Sequence, residues 1–230
     1  MSKNIFITGT GTEVGKTFVT GLIVQKLKES GKKAAYYKAA MSGNARREDG
    51  RLIPGDAVWV KETSGIEQPL EEMCPYVYEH AYSPHLAARL EGNPVRMEVV
   101  KEKFLEVSRK YEYVTVEGSG GILCPLCFDG TGRKGILLEE VITGLGLSCL
   151  IVADAGLGTI NSVTLTAEYM RGRGIPVKGL ILNHFHAGNV MEEDNKRMCE
   201  ELTGLNVLTC VSDGAKSLEM DAEALAALYE

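Results

Sequence analysis

Residues Gly9 to Thr17, GTGTEVGKT, limit what this chain can be. They follow an apolar run, Ile5-Phe6-Ile7, that reads as a buried strand. They precede a segment in which Phe18 and Leu22, and Val19, Ile23 and Leu27, recur at helical spacing. A glycine-rich turn between strand and helix that ends in Gly-Lys-Thr is a phosphate cradle. Successive backbone N–H groups close around phosphate oxygens, and the helix N-terminus adds partial positive charge. Lys16 supplies a cation for the β- and γ-phosphates, and Thr17 offers its hydroxyl to Mg²⁺.

The loop departs from the common spacing. Four residues usually separate the two glycines, but here the position expected for the first glycine holds Thr10, and Gly9 makes the pattern GxxxxxGKT. Thr12 and Glu13 then fall inside the loop, where most such loops carry small neutral residues. The signature is therefore narrower than nucleotide binding in general.

Bulk properties exclude several classes. A chain of 230 residues with 44% hydrophobic and 24% charged residues suits one soluble domain, residues 1–230, with a sizeable core. With a net charge of −6 and no basic stripe, nucleic acid is not expected as a partner. The longest apolar runs fall far short of a membrane span, so no membrane partner is expected. The N-terminal residues lead straight into the first strand without a signal-peptide pattern, so a cytoplasmic location is expected. Six scattered cysteines are expected to remain thiols. Cys124 and Cys127 have CxxC spacing but lack a second pair or a thioredoxin-like context, and read as small apolar residues. His184 and His186 offer metal-ligand chemistry in principle, but an HxH at a strand end reads as incidental to any metal site.

Strand and helix patterns alternate along the chain. Strands are expected over 33–38, 113–117, 148–153, 177–183 and 205–211, and helices over 136–144, from about 190, and over 217–229. A polar loop spans 42–55, and 65–80 reads as irregular. Ser83 and Pro84 open a helix as cap and first residue. The expected fold is α/β and P-loop NTPase-like, a mostly parallel sheet with helices on both faces. In such sheets ligands collect at the carboxyl ends of the strands.

That rule directs attention to the residues just past each strand. Lys38 ends the second strand, four residues before Ser42. Glu117 ends the YVTVE strand and is followed by Gly118-Ser119-Gly120-Gly121, which lets backbone approach a ligand. Asp56 follows the long loop. Two lysines, two carboxylates and the hydroxyls of Thr12, Thr17 and Ser42 suit phosphoryl transfer, in which cations stabilise the charge on the moving group. Asp56, Glu117 and Thr17 provide the hard oxygen ligands that Mg²⁺ prefers.

At these residues the chain resembles the dethiobiotin synthetase family. The matching pieces are TGTGTEVGKT at 8–17, YKAAMS at 37–42, GDA around Asp56, SPHLAA at 83–88, VEGSGG at 116–121 followed by Pro125-Leu126, LGTIN at 157–161, and Asn183 at the end of a late strand. The resemblance implies a homodimer that makes a cyclic urea from 7,8-diaminononanoate, carbon dioxide (or bicarbonate) and ATP. It implies Mg²⁺ on Thr17, Asp56 and Glu117. ATP contacts would come from Glu13, Val14, Gly15, Lys16, Thr17 and Phe18, with Asp56 and the stretch Glu117, Gly118, Ser119 and Gly120 beside them. Asn183 would recognise the base. Lys38 would act at the carbamate and the transferring phosphate, with Lys16 as the second catalytic lysine, and Thr12 and Ser42 would contact the diamine or its carbamate. Gly158 to Asn161 would bind the substrate carboxylate, reaching the partner subunit's site, as a helix N-terminus favours an anion.

Two features depart from the family pattern. Cys210 to Asp213 stands where a proline-containing loop often lies near the base, and no tyrosine occurs between Asn183 and Thr203 to meet the substrate carboxylate. Two other readings explain less. Partition-type ATPases carry a second lysine early in the loop, where this chain has Gly11, and a glutamine-dependent amidase needs a further domain for which 230 residues leave no room.

Overall fold

The computed structural model describes residues 2–128 and 135–230. The elements in chain order are β1 (Lys3–Gly9), α1 (Lys16–Glu29), β2 (Ala34–Lys38), β3 (Ala40–Met41), α2 (Gly55–Ser64), α3 (Leu70–Met73), β4 (Tyr76–Val77), α4 (Pro84–Leu90) and α5 (Met97–Lys110). Then come β5 (Tyr113–Glu117), β6 (Pro125–Cys127), β7 (Ile136–Leu137), α6 (Leu138–Leu145), β8 (Cys149–Asp154), α7 (Thr159–Gly172), β9 (Val177–Asn183), α8 (Val190–Thr203), β10 (Val207–Val211) and α9 (Ala222–Ala226).

Six strands form one sheet in the order β10-β9-β8-β1-β5-β2, and every pairing in it is parallel. Strand β1 is central because both of its faces are covered. Ile5 and Ile7 pack with α1 on one side, while Phe6 packs on the other with Phe104 of α5 and Val141 of α6. The order reverses direction at β1, which places the loop after it in the crevice at the carboxyl ends, the usual ligand position in open parallel sheets. The free edge of β2 is covered by Gln68, whose side chain bonds both the N–H (2.8 Å) and the C=O (3.0 Å) of Tyr36. Among the described residues no helix is long and apolar enough to cross a membrane.

The expected strands and the expected α/β architecture are present, and three local expectations need correction. Ile136 and Leu137 are not helical. They pair antiparallel with Pro125 and Cys127, and the helix starts at Leu138 with the Glu140 carboxylate accepting the Leu137 N–H at 2.9 Å. Residues 65–80 are not wholly irregular, since Leu70–Met73 is a helical turn and Tyr76–Val77 pairs with Ala40–Met41. The last helix is only Ala222–Ala226, because the Asp221 side chain caps the N–H groups of Glu223 (3.0 Å) and Ala224 (2.9 Å), and buried Leu218 upstream is drawn into the core instead. Ser83 and Pro84 do stand at the cap and first position of α4, although the Ser83 hydroxyl pairs with His85 Nδ1 at 2.9 Å rather than with the helix backbone.

Candidate active site

The phosphate loop owes its shape to two glycines and one strained residue. A Cβ on Gly9 would lie 2.9 Å from both Lys16 Cδ and Val14 Cγ2, so only glycine lets the lysine stem fold over the loop. Gly15 has φ +80, and a Cβ there would meet Asn183 Nδ2 at 2.0 Å. Glu13, inside the lengthened loop, takes φ +65; among the described residues the one other non-glycine residue with positive φ is His184. Lys16 Nζ donates to the Gly11 carbonyl at 2.7 Å. Burial and then the neighbouring Lys38 charge lower the Lys16 pKa to about 8.

The opposite wall comes from β2, β5 and α2. Glu117, 1% exposed, is the centre of it. Its Oε1 accepts from the Thr17 hydroxyl at 2.7 Å and from Lys38 Nζ at 2.6 Å, and its Oε2 accepts from the buried Tyr36 hydroxyl at 2.9 Å. Lys38 also donates to Asp56 Oδ2 at 2.7 Å. Burial alone would depress the Lys38 pKa, but Glu117 and Asp56 raise it, so its ammonium is firmly charged. The paired register of β2 and β5 sets Lys38 opposite Glu117. Asp56 reaches them from the first turn of α2, which lies close to α1 because Gly21 leaves room for the Trp59 ring. Asp56 is not the helix cap; Pro54 occupies that position.

These groups surround a cavity of about 260 Å³. Thr12, Glu13, Gly15, Lys16 and Thr17 line one side, and Lys38, Ser42, Asp56, Glu117, Ser119 and Gly120 line the other. The Lys38 ammonium already draws the Asp56 and Glu117 carboxylates together, the Thr17 hydroxyl adjoins Glu117, and this hard oxygen donor set fits Mg²⁺. The arrangement can bind a triphosphate against the loop and place a second, uncharged or anionic reactant near Thr12 and Ser42.

Other expected residues lie apart from the cavity. The Phe18 ring packs on Trp59, with centroids 5.5 Å apart. Val14 is buried, and its carbonyl accepts from Asn183 Nδ2 at 3.2 Å. Gly118 bonds the Ile7 carbonyl through its N–H (2.9 Å), and its missing side chain makes room for Phe6 and Leu138. Asn183 is fully buried at the end of β9. Gly158 and Asn161 sit at the N-terminus of α7, beside Leu157, which is 93% exposed. Cys124 lies against the site: a Cβ on Gly120 would be 3.3 Å from its sulfur, and burial raises its thiol pKa to about 11.

Sequence reading missed Tyr36, Asp154 and the pairing of His184. Tyr36 lies two residues before Lys38, on the same strand face, so period-two alternation could have indicated it. Asp154 ends β8, one residue past the apolar run that seemed to close the strand. His184 pairs with Asp154, and His186 pairs with Glu192 and Asp213, contacts that the sequence did not indicate.

A family described as an AAA domain matches residues 3–219. A protein of Brachyspira hyodysenteriae named ATP-dependent dethiobiotin synthetase BioD is 46% identical over 230 residues, covering all of both chains. A protein of the same name from Clostridium botulinum is 42% identical and covers all of this chain and 99% of its own. Among solved structures, the MinD cell division protein of Aquifex aeolicus superposes with a TM-score of 0.54 at 15% identity, over 94% of this chain and 84% of that one. A ParA family ATPase from Chlorobium tepidum superposes with a TM-score of 0.53 at 12% identity, over 98% and 86%. At such identities the last two bear on fold alone.

Proposed function

The chain belongs to the ATP-dependent dethiobiotin synthetase family, and we propose that it closes the ureido ring of dethiobiotin, in biotin biosynthesis, from 7,8-diaminononanoate and carbon dioxide with ATP. It is an ATP-dependent ligase that forms C–N bonds. The observation that carries the reading is the cavity itself, where Lys38, tied to Asp56 and Glu117, faces the phosphate loop across the space left between Thr12 and Ser42.

One amine of the substrate first captures carbon dioxide as a carbamate. A carbamate oxygen then attacks the γ-phosphorus, the bond to the β-phosphate oxygen breaks, and ADP leaves. The product is a carbamic–phosphoric anhydride. The second amine attacks its carbonyl carbon, loses a proton, and expels phosphate as the ring closes. The chain's part is to position and to stabilise charge. Lys16 follows the outer phosphates, and Lys38 lies where a carbamate oxygen and the transferring phosphoryl group share negative charge. Thr12 and Ser42 orient the diamine. Thr17, Asp56 and Glu117 would hold Mg²⁺, which neutralises phosphate charge when bound.

Two finer assignments belong to the same proposal. Asn183 meets the nucleotide base. The α7 N-terminus at Gly158 to Asn161, beside exposed Leu157, grips the substrate carboxylate in the partner's site of a homodimer. The test is phosphate release from ATP with the diamine and bicarbonate added separately and together. Release that requires both is expected. ATP consumption indifferent to the diamine, or none at all, overturns the assignment.

A further inference from the structure

Asn183 offers the base site only half of its amide. Nδ2 carries two hydrogens, and both are engaged: one points to the Val14 carbonyl at 3.2 Å and the other to His184 Nε2 at 3.1 Å. Oδ1 is buried and has no hydrogen-bond partner among the described residues. A buried acceptor left without a donor is costly, and, with Asn183 read as the base contact, a donor on the nucleotide supplies what it lacks. The amide cannot turn over freely, because Oδ1 would then face the Val14 carbonyl oxygen.

This orientation dictates the state of the neighbouring imidazole. To accept from Nδ2, His184 Nε2 must lack a proton, so the ring hydrogen is on Nδ1. Asp154 Oδ2 lies 2.6 Å from that nitrogen and receives it. The other oxygen of Asp154 accepts the Gly156 N–H at 2.6 Å, so the carboxylate is fixed at both ends. Burial works against its charge, but the His184 and Gly156 hydrogen bonds prevail and hold its pKa below the usual carboxylate range. Asp213 Oδ1 lies 3.9 Å from His184 Nε2, beyond hydrogen-bond reach, and does not compete for it. His184 also has φ +56, a conformation that a non-glycine residue keeps only where the surroundings enforce it.

We propose that Asp154 and His184 are a positioning pair that fixes which face of the Asn183 amide meets the nucleotide, so that the site selects a base bearing an exocyclic amine over one bearing a carbonyl oxygen at the same place. The inference rests on the reading that Asn183 meets the base. Adenine donates from its exocyclic amine to Oδ1, whereas guanine would bring an acceptor against an acceptor. Neither Asp154 nor His184 need touch the substrate.

Asp154→Asn tests the pair with little change of shape. Its remaining oxygen can still accept the Gly156 N–H, but its new amide donates to His184 Nδ1 and moves the ring proton to Nε2. That hydrogen then opposes Asn183 Nδ2. The ratio of kcat/KM for ATP to that for GTP should fall about tenfold, the worth of one hydrogen bond set against a clash. The change should lie in nucleotide KM, with kcat and the diamine KM unaltered. His184→Gly removes the imidazole and relaxes the positive φ, and should lower the ratio about fivefold. ¹⁵N spectra of histidine-labelled protein should show His184 protonated on Nδ1 in the parent and on Nε2 in Asp154→Asn. Asn183→Ala separates the two layers of inference. If it collapses the ratio while Asp154→Asn and His184→Gly leave it intact, the positioning pair is wrong and the base contact stands. If Asn183→Ala also leaves the ratio intact, the base contact itself is wrong.

Discussion

The two halves of the carboxyl-end crevice are built on opposite electrostatic plans. On the β2–β5 side, Glu117 and Lys38 are buried ions tied to each other, to Asp56 and to Thr17. On the β8–β9 side, the polar group fully buried at the strand end is a neutral amide, Asn183, and Asp154 and the His184 imidazole behind it are half-exposed. Charge that develops on a moving phosphoryl group is stabilised by fixed charge in a dry site, which is expensive to build. A base carries no net charge, and direction alone distinguishes one from another. The comparison predicts that damage to the first half falls on turnover and stability, and damage to the second on nucleotide choice.

Lys38→Ala is the strongest way to break the comparison. It removes a donor from the transferring phosphate and strands Glu117 without its counter-ion. Loss of one such donor lowers kcat by about 100- to 1,000-fold, and an uncompensated buried charge costs about 3–5 kcal/mol of stability. Steady-state rates and thermal unfolding measure both. ADP affinity should hold within a few-fold, because the loop and the base half are untouched; an equal loss of ADP binding would show that the halves are not separable.

Gly15 joins the halves, since its missing side chain is what admits Asn183 beneath the phosphate loop. Gly15→Ala puts a Cβ at φ +80 and within 2.0 Å of Asn183 Nδ2. Displacement of the loop or of the amide by about 1 Å should weaken ATP binding roughly 100-fold. Calorimetric titration with ATP and with inorganic triphosphate sharpens the point. If the affinity for triphosphate falls as far as that for ATP, the loop has moved; if only ATP suffers, the amide has.

How far the sequence revealed each half follows from the same contrast. Phosphate chemistry leaves local marks: a glycine-spaced loop, a lysine at a strand end, a carboxylate before Gly118-Ser119. Strand-end placement brings Lys38 and Glu117 together, and Asp56 joins them from the first turn of α2. The β8–β9 half has no such mark. His184 and Asp154 are 30 positions apart and become neighbours only because β8 and β9 are paired in register, Asp154 opposite Asn183. Tyr36 was hidden differently, because a tyrosine in an apolar strand reads as core until its hydroxyl is seen on Glu117. The final helix was over-read because nothing in the periodicity of 217–229 reveals that Asp221 caps a shorter one.

Tyr36→Phe probes the buried half more gently. Glu117 keeps its partners on Oε1 but loses the one on Oε2. An unsatisfied buried acceptor costs about 1–3 kcal/mol, so the melting temperature should drop while ATP/GTP preference stays put. A shift in preference with no loss of stability would reverse the roles assigned to the two halves.

The smallest expected effect is the pH response of Lys16, which burial and Lys38 hold at about 8 against an ordinary 10.5. Below that pH the side chain is charged and ready for phosphate. As pH rises through it the charge is lost, and a triphosphate must recover the proton on binding. ATP affinity should therefore fall about tenfold between pH 7 and 9 if the charged form alone binds well. Calorimetry at pH 9 in buffers of different ionisation heat should show up to about one proton taken up per ATP. Adenosine, which has no phosphate, should bind through the amide half with a flat profile over the same range. In the free protein the sign is opposite. Between 8 and 10.5 the unfolded chain binds more protons at this lysine than the folded one, so its contribution to stability rises with pH. ATP binding with no proton uptake at pH 9 would mean that Lys16 is not the group that answers to phosphate, and the division of labour between the two halves would have to be redrawn around Lys38.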